Sequence, residues 1–271
     1  MKLWYQSMTR PTAWAAYNAA LRAVLDGAKD SGTTIDVHGI EKRGGVGDQY
    51  RYLEFIEAQE VLENVERATR EGFDAFLIGN IGDPGLREAR EITDMPVLGL
   101  CETSIHLANM MAGNFSLVTG NQKHAPKIIE NIARYGLREK LFSVRRMTVD
   151  RLVDLNEAFV NPAAGKALID EFLAAAASNA EEGAELVIPA VGVLMVLLAR
   201  HGIHEVSPGI PILNGVTALV KMGEATVKMR KLFGGSWTSR RAMYAAPPPD
   251  QIDEMRSYYG PVYPWVKKPK T

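Results

Sequence analysis

Short apolar runs recur along this chain. Each is followed by a polar or glycine-bearing break, then by a stretch where apolar residues return every three or four positions. Runs of that length bounded by glycine or proline predict buried strands, and the longer periodic stretches predict helices. The pattern places strands over Leu3–Ser7, Thr34–Ile40, Phe73–Ile78 and Pro96–Leu100. Between them it places helices over Ala13–Ala28 (with Thr12 as cap), Tyr52 to Glu71, and Gly85–Ile92. Strand and helix in alternation imply βαβ units and a parallel sheet.

The same succession then starts again. Helices are expected over Thr103–Met111, Pro126–Tyr135, Ala167–Glu182 and Leu194–Arg200, and strands over Phe115–Thr119, Leu141–Met147, Ala184–Ala190 and Ile210–Leu213. The offsets are steady: 113 residues from Leu3 to Ser116, 111 from Gly72 to Gly183, and 115 from Pro96 to Pro211. Local wording repeats as well, Glu71-Gly72-Phe73-Asp74 against Glu182-Gly183-Ala184-Glu185 and Met95-Pro96-Val97-Leu98 against Ile210-Pro211-Ile212-Leu213. A repeat near 110 residues is too long for a solenoid unit and fits two similar α/β lobes with a cleft between them. Residues 1–100 form the first lobe and 101–213 the second. A last long helix, Val216–Leu232, leaves the second lobe and packs back on the first, so that 214–233 complete it. From 234 to 271 the chain is an arm, proline-rich at Ala245–Asp250 and carrying Tyr258, Tyr259, Tyr263 and Trp265. So many aromatics predict packing, either on the arm's own body or on a neighbouring subunit.

In such sheets ligands bind beyond the carboxyl ends of the strands, at the amino ends of the following helices. The segment Gly79-Asn80-Ile81-Gly82-Asp83-Pro84 has that position, with Asp83 expected to cap the helix that follows. Composition narrows the class. The formal net charge of −1 shows no bias toward nucleic acid or anionic membrane. Nothing approaches the roughly 18 consecutive apolar residues of a membrane span, and the N-terminus lacks a signal-like apolar region. The single cysteine, Cys101, excludes an internal disulfide and a multi-cysteine metal site. The expectation is a soluble cytoplasmic protein, a homo-oligomer, with a small-molecule substrate and neither nucleic-acid nor membrane partner.

Four segments together, Gly79–Leu86, Met95–Glu102, Gly183–Ile188 and Pro211–Val216, resemble the aspartate/glutamate/hydantoin racemase superfamily in wording, order and spacing, with the hydantoin and allantoin racemase branch most similar. The likeness covers roughly residues 1–232. It implies two pseudo-symmetric flavodoxin-like (Rossmann-like) lobes with parallel sheets and a cofactor-free active site in the inter-lobe cleft. There, two cysteines face each other across the substrate, one removing the proton α to a carbonyl and the other returning it on the opposite face. Maleate isomerase and arylmalonate decarboxylase are relatives that reuse such a site.

The chain departs from that pattern at both thiols. The first family cysteine falls at Asn80, and the 111-residue offset puts the second at Val191, or at Gly192 if the register slips by one. An amide and an isopropyl group cannot run two-base thiol chemistry. Asn80 is instead expected to donate to a developing enolate oxygen, with Val191 and Gly192 as wall. Ser7 and Thr9 after the first strand, and Thr119, Gly120 and Asn121 at the equivalent place in the second lobe, are candidates for binding the substrate, against a plain capping role. Cys101 and Glu102 are the alternative proton-transfer candidates; a buried apolar thiol and a helix-start carboxylate are the plainer readings. His124 is a further possible contact. His106 is expected in the core, with His201 and His204 at the surface. Tyr50 and Tyr52, after the glycine-rich Gly44–Gly47, suit a lid or a simple connection. The expected activity is isomerisation, decarboxylation or another lyase step, or hydrolysis, on a small carboxylate or cyclic amide. The rival is a catalytically retired small-molecule binding protein of the same fold.

Overall fold

The computed structural model describes residues 1–45 and 50–263. The first sheet is wholly parallel, in the order β2-β1-β3-β4. It comprises β1 (Lys2–Gln6), β2 (Thr34–His38), β3 (Ala75–Ile78) and β4 (Val97–Gly99), connected through α1 (Ala15–Ala28), α2 (Arg51–Arg70) and α3 (Leu86–Ile92). From α4 (Leu100–Met111) the chain enters the second sheet. Here β5 (Phe115–Thr119), β6 (Leu141–Arg146) and β7 (Val187–Pro189) pair in the parallel order β6-β5-β7, crossing through α5 (Ala125–Arg134) and α6 (Pro162–Glu182). A parallel bridge from Val187 to Ile212 supplies the fourth position, so both sheets share one order. These are the two pseudo-symmetric flavodoxin-like lobes expected from the sequence.

The pairing follows from burial. β3, β5 and β7 are buried along their whole length, as central parallel strands covered on both faces must be. In α1, Tyr17, Leu21 and Leu25 recur one helical turn apart and form the inward stripe. Helix ends carry their usual signals: the Asn161 side chain accepts from the N–H groups of Ala163 and Ala164 at the start of α6, and Gly183, at φ 119°, closes it.

After α7 (Gly192–Arg200), a short antiparallel pair of β8 (Glu205–Ser207) and β9 (Ile210–Pro211) precedes α8 (Gly215–Phe233). Helix α8 packs against β3, α1 and α4, its Val216, Leu219, Val220 and Val227 all buried. The arm contains α9 (Pro249–Tyr259), a helix that the proline count hid; prolines 248 and 249 stand at its start, where a missing N–H costs nothing. The arm packs on its own first lobe. The Arg240 guanidinium donates to the carbonyls of Arg90 (2.7 Å), Glu91 (2.7 Å) and Thr93 (3.2 Å) at the end of α3, and the Tyr263 hydroxyl donates to Glu91 (2.6 Å). Trp265 lies outside the described residues. Among the described residues no helix is long and apolar enough to cross a membrane.

Gly39, just after β2, lets the Thr9 carbonyl come close enough to accept from the Ile40 N–H. A Cβ there would lie 2.2 Å from the Thr9 oxygen, a backbone atom that cannot swing aside. Gly39→Ala is therefore expected to cost about 1–3 kcal/mol, a melting temperature several degrees lower by calorimetry. Gly27→Ala, where nothing lies within 4 Å of the new Cβ, is expected to raise it slightly.

Candidate active site between the lobes

The loops that leave β3 and β7 meet. A Cβ placed on Gly192, at the start of α7, would stand 3.5 Å from the Gly79 carbonyl oxygen. Beside this contact lies a cavity of about 60 Å³ whose walls include Asn80, Val191 and Gly192. The two positions where the resemblance places thiols thus line one space. Ser7, Met8, Thr9, Trp14 and Tyr17 complete its first-lobe side; His124, Leu152 and Leu155 close it from the second.

Local hydrogen bonds fix each wall. The Asn80 side-chain oxygen accepts from the Gly82 N–H at 2.7 Å, and its carbonyl accepts from Asp83 N–H at 3.0 Å, so the turn consumes the acceptor half of the amide. What Asn80 offers a ligand is its N–H₂ end. Ser7 Oγ and Thr9 Oγ1 are 2.8 Å apart, and Thr9 Oγ1 donates onward to Asn18 at 3.2 Å. Both hydroxyl protons are then committed in a Ser7→Thr9→Asn18 relay, and Ser7 Oγ also accepts the Thr9 N–H at 3.2 Å.

On the second lobe, the expected trio proves to be support for a neighbour. The Thr119 hydroxyl donates to the carbonyls of Asn121 and Arg145 at 3.4 Å, and Gly120 packs behind Val191 and Leu152. Asn121 donates to the Val149 carbonyl at 2.9 Å and accepts the N–H groups of Lys123 (3.0 Å) and His124 (3.1 Å). It is His124, held by that turn, that reaches the cavity. Its ring is 7% exposed, Nδ1 has no hydrogen-bond partner, and burial pulls its pKa down to about 4, so the imidazole is neutral.

Neither alternative proton-transfer candidate reaches the cavity. Cys101 lies wholly buried in the core, its thiol pushed well above the ordinary range by that burial. Glu102 is turned to Arg90, whose Nη1 donates to it at 2.9 Å. Tyr50 stands half exposed, with Lys123 Nζ 5.6 Å from its ring centre, and is not a cavity wall; residues 46–49 of the adjoining loop lie outside the described set. His106 is exposed rather than in the core, with Nδ1 2.8 Å from the Glu102 carbonyl. Trp14, Tyr17, Leu152 and Leu155 were missed because their apolar spacing marks ordinary core.

Asp83 caps a different helix from the one expected. Its carboxylate accepts the N–H groups of Cys101 and Glu102 at the start of α4, both at 2.9 Å, and the Tyr135 hydroxyl at 2.7 Å. Its backbone adopts φ 49°, and α3 begins instead behind Gly85. Burial pushes the Asp83 pKa up to about 7 against the pull of these bonds. Asn131 adds a bond to the Gly82 carbonyl at 2.8 Å, while Lys127 pairs with Glu54 and Arg51 with Glu130. Helix α5 of one lobe therefore clamps the outer face of the other lobe's loop. A larger groove of about 380 Å³ runs along that outer face between α2 and α5, away from Asn80 and Val191.

Comparison with known proteins places this geometry. The family model described as Asp/Glu/Hydantoin racemase matches residues 11–223. The chain is 30% identical over 225 residues to the hydantoin racemase of Pseudomonas sp. (strain NS671), covering 81% of this chain and 80% of that one. It is 31% identical over 237 residues to that of Paenarthrobacter aurescens, covering 85% and 93%. Among solved structures, allantoin racemase from Pseudomonas fluorescens superposes with a TM-score of 0.72 at 23% identity, covering 92% of this chain and 98% of that one. That likeness extends to the fold.

His124 and Asp83 give stability opposite pH slopes. A histidine at about 4 in the fold and 6.5 unfolded costs nothing above pH 6.5 and removes about 3 kcal/mol as the pH falls toward 4. An aspartate at about 7 in the fold and 3.8 unfolded contributes fully below 3.8 and loses that contribution as the pH rises to 7. In denaturant melts at pH 5 and 7.5, His124→Gln should therefore be relatively more stable at pH 5, and Asp83→Asn relatively less.

Proposed function

This chain belongs to the Asp/Glu/hydantoin racemase family, and on that premise we propose that it is a one-base isomerase acting on a small uncharged cyclic amide. The observation that carries this reading is the character of the cavity wall. Among the described residues around it none is lysine, arginine, aspartate or glutamate, and His124 is buried in its neutral form. A carboxylate substrate would lose its hydration there without meeting a cation, a cost that a neutral ring of amide groups avoids. The same argument disfavours decarboxylation, which begins from a bound carboxylate.

Among the described residues, two titratable side chains, Tyr17 and His124, line the cavity. Burial raises Tyr17 well above the ordinary phenol range, which leaves His124 to move a proton. The neutral imidazole takes the proton α to the substrate carbonyl, the C–H pair becomes the enolate double bond, and the carbonyl electrons move to oxygen. The Asn80 amide N–H₂ donates to that oxygen. The imidazolium then returns the proton to the same carbon, or to the conjugate position with a shift of the double bond. In both cases the product is an isomer or the starting compound. With Val191 on the other wall there is no acid to deliver a proton to the opposite face, so configuration is retained. Two-base racemisation would invert it.

The test is incubation with chiral 5-substituted hydantoins in deuterated water, followed by NMR and polarimetry. The expected result is deuterium uptake at the α-carbon with optical rotation retained, and a loss of at least about a hundredfold in exchange rate for His124→Gln. Exchange accompanied by loss of rotation would overturn the one-base reading. A ligand that raises the melting temperature but never exchanges would favour the binding-protein alternative.

A further inference from the structure

Two buried ring nitrogens without hydrogen-bond partners belong to residues that line the same cavity from opposite lobes: Trp14 Nε1 and His124 Nδ1. The proposed reaction uses the His124 ring and leaves the Trp14 N–H unexplained. Trp14 is 1% exposed, sits just ahead of α1, and meets Tyr17 edge-on with ring centres 5.8 Å apart. An indole nitrogen is a donor only. Burying it without an acceptor carries its full desolvation penalty, so an orphaned N–H at such a site calls for an explanation. A phenylalanine would fill much of the same space at no such cost.

We propose that Trp14 Nε1–H is a substrate-binding donor, which receives a carbonyl oxygen of the ring and keeps it as that oxygen takes on enolate charge. This rests on the reading of the cavity as the site for a neutral cyclic amide and assigns one of its polar contacts. The surrounding chemistry favours the indole for this task. Ser7 and Thr9 have spent their protons on each other and on Asn18, and the Tyr17 hydroxyl is hydrogen-bonded to Ser7. Among the described residues on the first-lobe side, Trp14 and the Asn80 amide are therefore the neutral side-chain donors left to the ligand. A rigid indole held by the core loses little freedom on binding, and its N–H points wherever the fold has set it. Two such donors lining one cavity select for a ring with two acceptor oxygens, which an imide or ureide presents and a simple lactam does not.

The assignment is tested on the full-length protein labelled with ¹⁵N, by following the indole N–H resonances during titration with hydantoin, with pyrrolidin-2-one and with sodium acetate. The Trp14 signal is identified by its loss in Trp14→Phe or, should that variant fail to fold, by cross-relaxation with the Tyr17 ring. It is expected to move downfield to saturation with hydantoin, less with the lactam, and not with acetate. Trp14→Phe is expected to lose about a hundredfold in kcat for deuterium exchange, with a smaller change in KM. A Trp14 signal that stays still while the His124 ring responds to hydantoin would overturn this assignment and leave the cavity reading intact. So would a signal held upfield by the Tyr17 ring face before and after titration. If neither ring responds to hydantoin, both fall together.

Discussion

The arrangement of this molecule depends on one buried carboxyl. Asp83 accepts three hydrogen bonds, two from the first turn of α4 and one from Tyr135 at the end of α5. It thereby ties the loop after β3 to the helix that carries the chain out of the first lobe and to a helix of the second. A left-handed backbone at a non-glycine residue is a strained conformation, and it persists because these contacts outweigh it. Asn80 owes its place to this knot. It lies three residues upstream in the same turn, its own oxygen spent on the Gly82 N–H.

With both sides of the loop fixed, the cleft is bounded by the meeting of Gly79 and Gly192 and narrows to a cavity of about 60 Å³. Its electrostatics follow from what was left outside. The charged side chains of this region, Glu54, Lys127, Arg51 and Glu130, are paired with one another on the outer face of the loop. Inside, a neutral histidine, an amide and an isopropyl group line the cavity together with hydroxyls and rings. Two equivalent thiols would permit proton delivery to either face of a substrate, whereas the mechanism we propose for this asymmetric wall uses one.

The second lobe repeats the first in strand order, yet contributes differently to the site. In the first lobe the residues directly after β1 and β3 form the wall. In the second, the residues after β5 are drawn into the turn that presents His124, and Leu152 and Leu155 descend from the segment after β6. Pseudo-symmetry of backbone therefore coexists with asymmetry of chemistry: the turn after β5 occupies Asn121 and presents His124, whereas the turn after β1 leaves Ser7 and Thr9 themselves on the wall.

Much of this was legible in the chain itself. Alternating short apolar runs and amphipathic stretches, repeated at a steady offset, determine two parallel α/β lobes, because strand burial and helix periodicity are local properties of the pattern. The repeat also put Asn80 and Val191 at equivalent strand ends, and they do line one cavity. The partner of a side chain is not local. Asp83 carries the same Asp-Pro signal whether it caps the helix after it or one that begins seventeen residues later, and only the packing of α4 against the loop decides between them. Cys101 and Glu102 adjoin the right strand, but the helix turns one into the core and the other toward Arg90. Trp14 has the spacing of a core residue and is one; that its N–H is left without an acceptor beside a cavity is a fact of three-dimensional neighbours, which no periodicity encodes.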